Sequence, residues 1–141
     1  MTLPSQPETL HVAVVGAGDM GKRHAEHWQR AGATVSAICD AYLPQAEKVA
    51  AGFGAKAFEK LEDALASAAI DAVSICTPTL LHAPLAIAAL EAGKHVLCEK
   101  PIALTLADAN AMKDAAERTG KELRVGFMRR FDPAYNQLLD A

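Results

Sequence analysis

Short apolar runs recur along the chain at about 11–16, 34–39, 70–76, 94–98 and 122–127, with a weaker one near Ala55–Phe58. Runs of this length, apolar on successive residues, suit strands buried on both faces rather than helices. Mixed stretches of helical length stand between them. One predicted helix covers Met20–Ala31, with Met20, His24, Trp28 and Ala31 on one face and Gly32 as its stop. A second covers Pro44–Ala51 with proline at a favoured early position, and a third, Leu80–Ala92, is stopped by Gly93. A longer one, Leu106–Thr119, opens on Thr105 and Asp108, a capping box with Asp in place of Glu, and closes at Gly120. Strands alternating with helices predict an α/β fold: a doubly wound, open parallel sheet with helices on both faces and right-handed crossovers.

This pattern divides the chain into a loose tail at residues 1–10, one domain at 11–133, and the start of a further helix at 134–141. No repeat, low-complexity tract or linker interrupts the domain. The length of 141 residues suits one domain with a real core and is small for a two-domain enzyme. Fourteen basic against 17 acidic side chains, a net charge of −3, give no footing for nucleic acid. No apolar run approaches about 20 residues and no cationic, apolar leader is present, so the reading is cytoplasmic, with no membrane partner. Cys39, Cys76 and Cys98 lack a C-x-x-C spacing and fall near the ends of predicted strands. They read as small core residues, not as a metal site or disulfide framework.

The richest motif is His11-Val-Ala-Val-Val-Gly16-Ala-Gly18-Asp-Met-Gly21, a G-x-G-x-x-G turn between a strand pattern and a helical one. Gly16 allows the tight turn, Gly18 leaves room for a pyrophosphate against the backbone, and Gly21 permits close packing of helix and strand. The free N–H groups at the helix start, around Asp19 and Met20, then face the phosphates. Asp40 ends the second strand pattern 19 residues after Gly21, near the spacing at which a carboxylate meets an adenosine ribose. The plainer role for Asp40 is a cap or turn residue. A carboxylate there repels the extra phosphate of NADP, and Ala41-Tyr42-Leu43 brings no cation to offset it, so NAD is the expected cofactor and NADP the less favoured one.

In an open sheet, ligands sit beyond the carboxyl ends of the strands. Three polar groups stand there: Thr77-Pro78-Thr79 with His82, Glu99-Lys100-Pro101, and Met128-Arg129-Arg130-Phe131-Asp132-Pro133. Together with the glycine turn and Lys22-Arg-His24, the strings Thr77-Pro-Thr79-Leu-Leu-His82, Cys98-Glu-Lys-Pro101 and Val125-Gly-Phe-Met-Arg-Arg-Phe-Asp-Pro133 resemble the Gfo/Idh/MocA family of nicotinamide-dependent oxidoreductases, and inositol dehydrogenases in particular. The resemblance covers residues 11–141 and implies a Rossmann-type domain whose cofactor contacts come from Gly16, Gly18, Asp19, Met20, Gly21, Asp40, Thr77, Pro78, Thr79, His82, Glu99, Lys100, Pro101 and Arg129.

It further implies that Lys100 is catalytic, orienting a substrate hydroxyl and assisting its proton transfer while hydride passes between the substrate carbon and the nicotinamide. An ammonium suits that work, whereas outside the motif Lys100 reads as a surface lysine paired with Glu99. A cis Lys100–Pro101 bond is implied as well. Thr79 stands where the family has Asn, so an amide contact does not carry over. His82, on the first turn of a helix, is expected to face the nicotinamide as a contact rather than a catalyst, although a lone helical His is more often packed or solvated. His24 is read as support for the cofactor turn. Arg129 and Arg130 are read either as clamps on a polyol or acidic substrate or as surface pairs, with Arg129 favoured for the site.

The family's second α/β domain, which supplies substrate contacts, is absent from these residues. The expected protein is therefore the NAD-binding portion of a sugar, polyol or inositol oxidoreductase, incomplete for catalysis, with a homo-oligomer or a C-terminal partner chain to complete it. A stand-alone NAD-binding or redox-sensing module, or one half of a split protein, is the alternative.

Overall fold

The computed structural model describes residues 9–67 and 69–139. Its strands are β1 His11–Val15, β2 Thr34–Cys39, β3 Lys56–Phe58, β4 Ala72–Ile75, β5 His95–Cys98 and β6 Leu123–Val125. They form one sheet in the order β3-β2-β1-β4-β5-β6, with every neighbouring pair parallel. The helices are α1 Asp19–Arg30, α2 Leu43–Ala51, α3 Leu61–Ser67, α4 His82–Glu91, α5 Leu106–Thr119 and α6 Pro133–Leu139.

The apolar runs follow from burial on both faces, since successive strand side chains point to opposite sides. Val12 and Val14 of β1 pack with Ala25 of α1 and with Ala46 and Val49 of α2. Ala13 and Val15 join the other layer with Leu61 of α3, Ala86 and Leu90 of α4, and Met112 of α5. Alanine supplies much of the helix side of both layers, so the helices sit close to the sheet. The chain leaves β1 toward one layer and β4 toward the other, which opens the crevice between their carboxyl ends.

Three local expectations need correction. Helix α3 was not anticipated; seven residues hold fewer than two turns, too few for a legible period, although Leu61 and Ala64 are buried. The stretch beginning at Leu80 is divided, with a 3₁₀ turn at Thr79–Leu81 before α4 and both Leu80 and Leu81 exposed. On α1 the innermost residues are Gly21 and Ala25, while Met20 and Ala31 face outward. Gly21 presses against the preceding turn, and that contact rotates the buried seam by one residue.

Thr105 caps α5 as expected: its Oγ1 accepts the Asp108 N–H at 3.0 Å. The hydroxyl also donates to Asp108 Oδ2 at 2.8 Å, so the shorter acid closes on the hydroxyl. Gly120, at φ +67, takes the left-handed position just past the helix. Of the expected tail, residues 1–8 lie outside the described residues, whereas the Leu10 carbonyl already accepts the Thr34 N–H at 2.8 Å. The helix expected from residue 134 is present as α6, and residues 140–141 lie outside the description. No helix among the described residues is long and apolar enough to cross a membrane.

Candidate functional site

The turn after β1 assigns each motif glycine a separate task. Gly16 has φ +96, and a Cβ there would come within 2.6 Å of the Cys76 carbonyl oxygen. It therefore makes the turn and also lets β1 and β4 exit side by side. A Cβ on Gly21 would overlap the Gly16 carbonyl oxygen, so the start of α1 lies directly on the turn. Around Gly18 a Cβ would meet nothing within 4 Å. Its side faces open space at the start of α1, where no side chain caps the helix. The first helical bond runs from Lys22 N–H to the Gly18 carbonyl at 3.0 Å, so the amides of Asp19, Met20 and Gly21 precede it at the positive end of the dipole. A bare, uncapped helix start beside an empty approach fits a phosphate group.

Asp40, at the end of β2, takes the turn role. Its Oδ2 accepts the Ala17 N–H at 2.8 Å and its Oδ1 accepts the Tyr42 N–H at 2.9 Å, so it holds the glycine turn and its own. Each oxygen keeps a lone-pair direction for a further donor. Gln45 of α2, which the sequence reading missed, donates to the Ala17 carbonyl at 2.8 Å and steadies the same turn. Nothing local in the sequence signals that bond, which spans 28 residues. Tyr42 is exposed beside Asp40.

The exits of β4 and β5 bring the second and third motifs together. Thr77 Oγ1 donates to the Pro78 carbonyl at 3.3 Å, Pro78 is exposed, and Thr79 opens the 3₁₀ turn. His82 is 1% exposed, with Nδ1 2.9 Å from the Pro101 carbonyl oxygen and Nε2 3.0 Å from the Thr77 carbonyl oxygen. Whichever nitrogen carries the proton donates to one of these carbonyls. The expectation that His82 faces a ligand is thereby corrected, because both nitrogens are turned to backbone and the ring braces the Thr77 and Pro101 loops. The Lys100–Pro101 bond is cis, as the resemblance implies.

Lys100 is exposed and has no ion-pair partner among the described residues. Its neighbour Glu99 is engaged elsewhere: Oε1 lies 2.8 Å from His24 Nε2 and Oε2 accepts the Lys100 backbone N–H at 3.1 Å. His24 Nδ1 lies 2.7 Å from Ser74 Oγ. His24, expected to support the cofactor turn through helix packing, is instead hydrogen-bonded to β4 and to the exit of β5. Ser74 was missed, being one residue within an apolar strand run.

Beyond Lys100 a cleft of about 730 Å³ is lined by Lys100, Phe127, Met128, Arg129 and Arg130. Arg129 stacks on Tyr135 with its guanidinium carbon 4.6 Å from the ring centroid, a contact that holds the arginine on the cleft wall. A second cleft, of about 340 Å³, lies at the amino-terminal edge of the sheet between Leu10, Asp71, Lys94 and Lys121 and contains none of the motif residues. Burial pushes the Cys39, Cys76 and Cys98 thiols up to about 12, with Glu62 adding to the effect at Cys39 and Glu99 at Cys76 and Cys98. Among the described residues no group of three or more His, Cys, Asp or Glu is arranged to hold a metal ion.

Residues 10–127 match the family described as "Oxidoreductase family, NAD-binding Rossmann fold". The chain is 42% identical over 138 residues to an inositol 2-dehydrogenase of Corynebacterium glutamicum, covering 93% of this chain and 40% of that protein. Its fold superposes on apo scyllo-inositol dehydrogenase from Lactobacillus casei with a TM-score of 0.88 at 31% identity, covering 96% of this chain and 43% of the other. The WlbA dehydrogenase from Bordetella pertussis, solved with NADH and UDP-GlcNAcA, superposes with a TM-score of 0.79 at 32% identity, covering 84% and 37% respectively. The chain thus spans about two fifths of the length of these relatives.

Proposed function

The chain belongs to the Gfo/Idh/MocA oxidoreductases and is an NAD-binding Rossmann domain of that family, and from this premise we propose how it holds the dinucleotide and what reaction it serves. The pyrophosphate lies against Gly16, Gly18 and Gly21 and the amides of Asp19 and Met20, with Asp40 accepting from the adenosine ribose. Thr77, Pro78 and Thr79 line the far side, and Glu99, Lys100, Pro101 and Arg129 border the nicotinamide end. His82 acts from behind as a brace. The observation that carries this reading is the open side of Gly18 at an uncapped helix start, on the same edge of the sheet as Asp40 and Lys100.

When bound, the nicotinamide exchanges hydride with a substrate carbon. The chain's own contribution is Lys100: its ammonium donates to the carbonyl oxygen in the reducing direction, and its neutral amine takes the proton of a sugar, polyol or inositol-like hydroxyl in the oxidising one. Further substrate contacts, and the remainder of the proton path, belong to the part of such enzymes that lies beyond the match, from a second domain or a partner chain of a homo-oligomer. The exposed Phe127 and Met128 on the cleft wall support that arrangement. The cytoplasm, where thiols stay reduced, suits three free cysteines.

A thermal-shift titration with NAD, NADH, NADP and NADPH tests the binding part: NAD(H) raises the melting temperature, Gly18→Trp abolishes the rise, and the phosphorylated forms act weakly. No rise with any of the four would sink it. The reaction part is tested by fusing the domain to the C-terminal portion of the Corynebacterium relative and following NADH formation with inositol. Activity that survives Lys100→Ala would remove the lysine from its role.

A further inference from the structure

We propose that Ser74, His24 and Glu99 form a positioning string that sets Lys100 relative to the start of α1. The inference rests on the reading of Lys100 given above and adds how its place is held. Glu99 as a carboxylate only accepts, so the proton of His24 sits on Nε2 and is donated to Glu99 Oε1 at 2.8 Å. His24 Nδ1 is then left to accept the Ser74 hydroxyl at 2.7 Å. Glu99 Oε2 closes the string on the Lys100 backbone N–H at 3.1 Å. Each partner comes from a different element: Ser74 from β4, His24 from α1, and Glu99 from the exit of β5.

The string is nearly dry. Ser74 is fully buried, and the side chains of His24 and Glu99 are 11% and 13% exposed. In such surroundings a hydrogen bond holds its geometry firmly, and a partner left unpaired is costly. The β6 exit closes the remaining side, because a Cβ on Gly126 would stand only 3.3 Å from Glu99 Oε1. Glu99 is thereby kept away from the Lys100 ammonium, which stays free for a substrate oxygen. His24 is five positions beyond Asp19, within about one and a half turns of the same rigid helix. The amides offered to phosphate and the anchor of the Lys100 loop therefore share one reference frame. His24 and Glu99 act as positioning residues, through Lys100, and His24 touches no substrate.

The test uses the chain with its lysines carrying ¹³C-labelled methyl groups, which keep the charge, and reads the Lys100 resonance by NMR, assigned with Lys100→Arg. His24→Gln places an amide donor near the position of Nε2, whereas His24→Asn reaches Ser74 alone. Without nucleotide, His24→Gln keeps the wild-type Lys100 resonance, while His24→Asn and His24→Ala displace it. With NADH, the wild type and His24→Gln show a nucleotide-induced shift at Lys100 that His24→Asn and His24→Ala lose. Should both disruptive variants fail to fold, Ser74→Ala, which removes only a hydroxyl, gives the same readout with a smaller displacement. An unchanged Lys100 resonance and NADH response in folded His24→Asn or Ser74→Ala overturns the proposal. Failure of NADH to move anything in the wild type would overturn the cofactor reading instead, and the nucleotide-free spectra would still decide the positioning string.

Discussion

Replacing Gly18 and Gly21 each with alanine separates binding from folding within one motif. At Gly18 the backbone is ordinary for any residue, with φ −77 and ψ −166, and the added methyl meets nothing within 4 Å. The unfolded chain loses about 0.4–1 kcal/mol of freedom, which offsets a similar loss of N-cap preference. Gly18→Ala therefore melts within about 3 °C of wild type, taking about 3.3 °C per kcal/mol for a chain of this length. The methyl stands where a pyrophosphate would approach. NADH at 100 times its dissociation constant adds about 2.7 kcal/mol to the wild type, a rise of about 9 °C. A tenfold loss of affinity in Gly18→Ala cuts that rise to about 5 °C or less at the same concentration.

Gly21→Ala does the reverse. Its methyl overlaps the Gly16 carbonyl oxygen, well inside the roughly 3.3 Å that a carbon–oxygen contact tolerates. Backbone on both sides of the turn must move, at a cost of about 3 kcal/mol and a melting temperature about 10 °C lower before any ligand is added. Scanning fluorimetry of the three proteins with and without NADH reads both effects. Gly21→Ala melting with the wild type would refute the packing argument. Gly18→Ala keeping the full NADH rise would refute the cradle.

Asp40→Ala removes the acceptor of the buried Ala17 N–H and destabilises the chain by about 1–3 kcal/mol. It also brings NADH and NADPH affinities together in a fluorescence titration, and a ratio unchanged from wild type would remove Asp40 from cofactor choice. The folded thiols of Cys39, Cys76 and Cys98 are raised to about 12, above the roughly 8.5 of an unfolded cysteine, so folding holds their protons longer. Their effect on stability is absent below about pH 8.5, and stability falls as pH rises from there toward 12. Urea melts across that range show the decline, and equal alkylation of native and denatured chain at pH 9 would contradict it. Thr105→Ala strips the cap of α5 and costs about 1 kcal/mol, or roughly 3 °C, with NADH binding untouched; a loss of NADH affinity would show that α5 reaches the site.

Strands were legible because β1, β2 and β4 are apolar on both faces, and burial alone dictates such runs. The glycine turn was legible because Gly16, Gly18 and Gly21 each answer a steric demand within a few residues. Helix α3 was too short to show a period. The seam of α1 was misplaced because Gly21, with no side chain to mark a face, is its innermost residue. His82 looked like a ligand contact because sequence cannot show that the carbonyls of Thr77 and Pro101 lie at both of its nitrogens. The Ser74–His24 and His24–Glu99 bonds span 50 and 75 residues and arise only when β4, α1 and β5 are assembled. No local pattern encodes them.

The central claim is that a dinucleotide lies along the carboxyl ends of these strands. An ¹⁵N NMR titration of the chain with NADH tests it most directly. The predicted result is saturable shifts at the amides of Gly16–Gly21, Asp40–Tyr42, Thr77, Thr79 and Lys100. Shifts centred instead on Lys94, His95 and Lys121 at the opposite edge, or none at all, would contradict it.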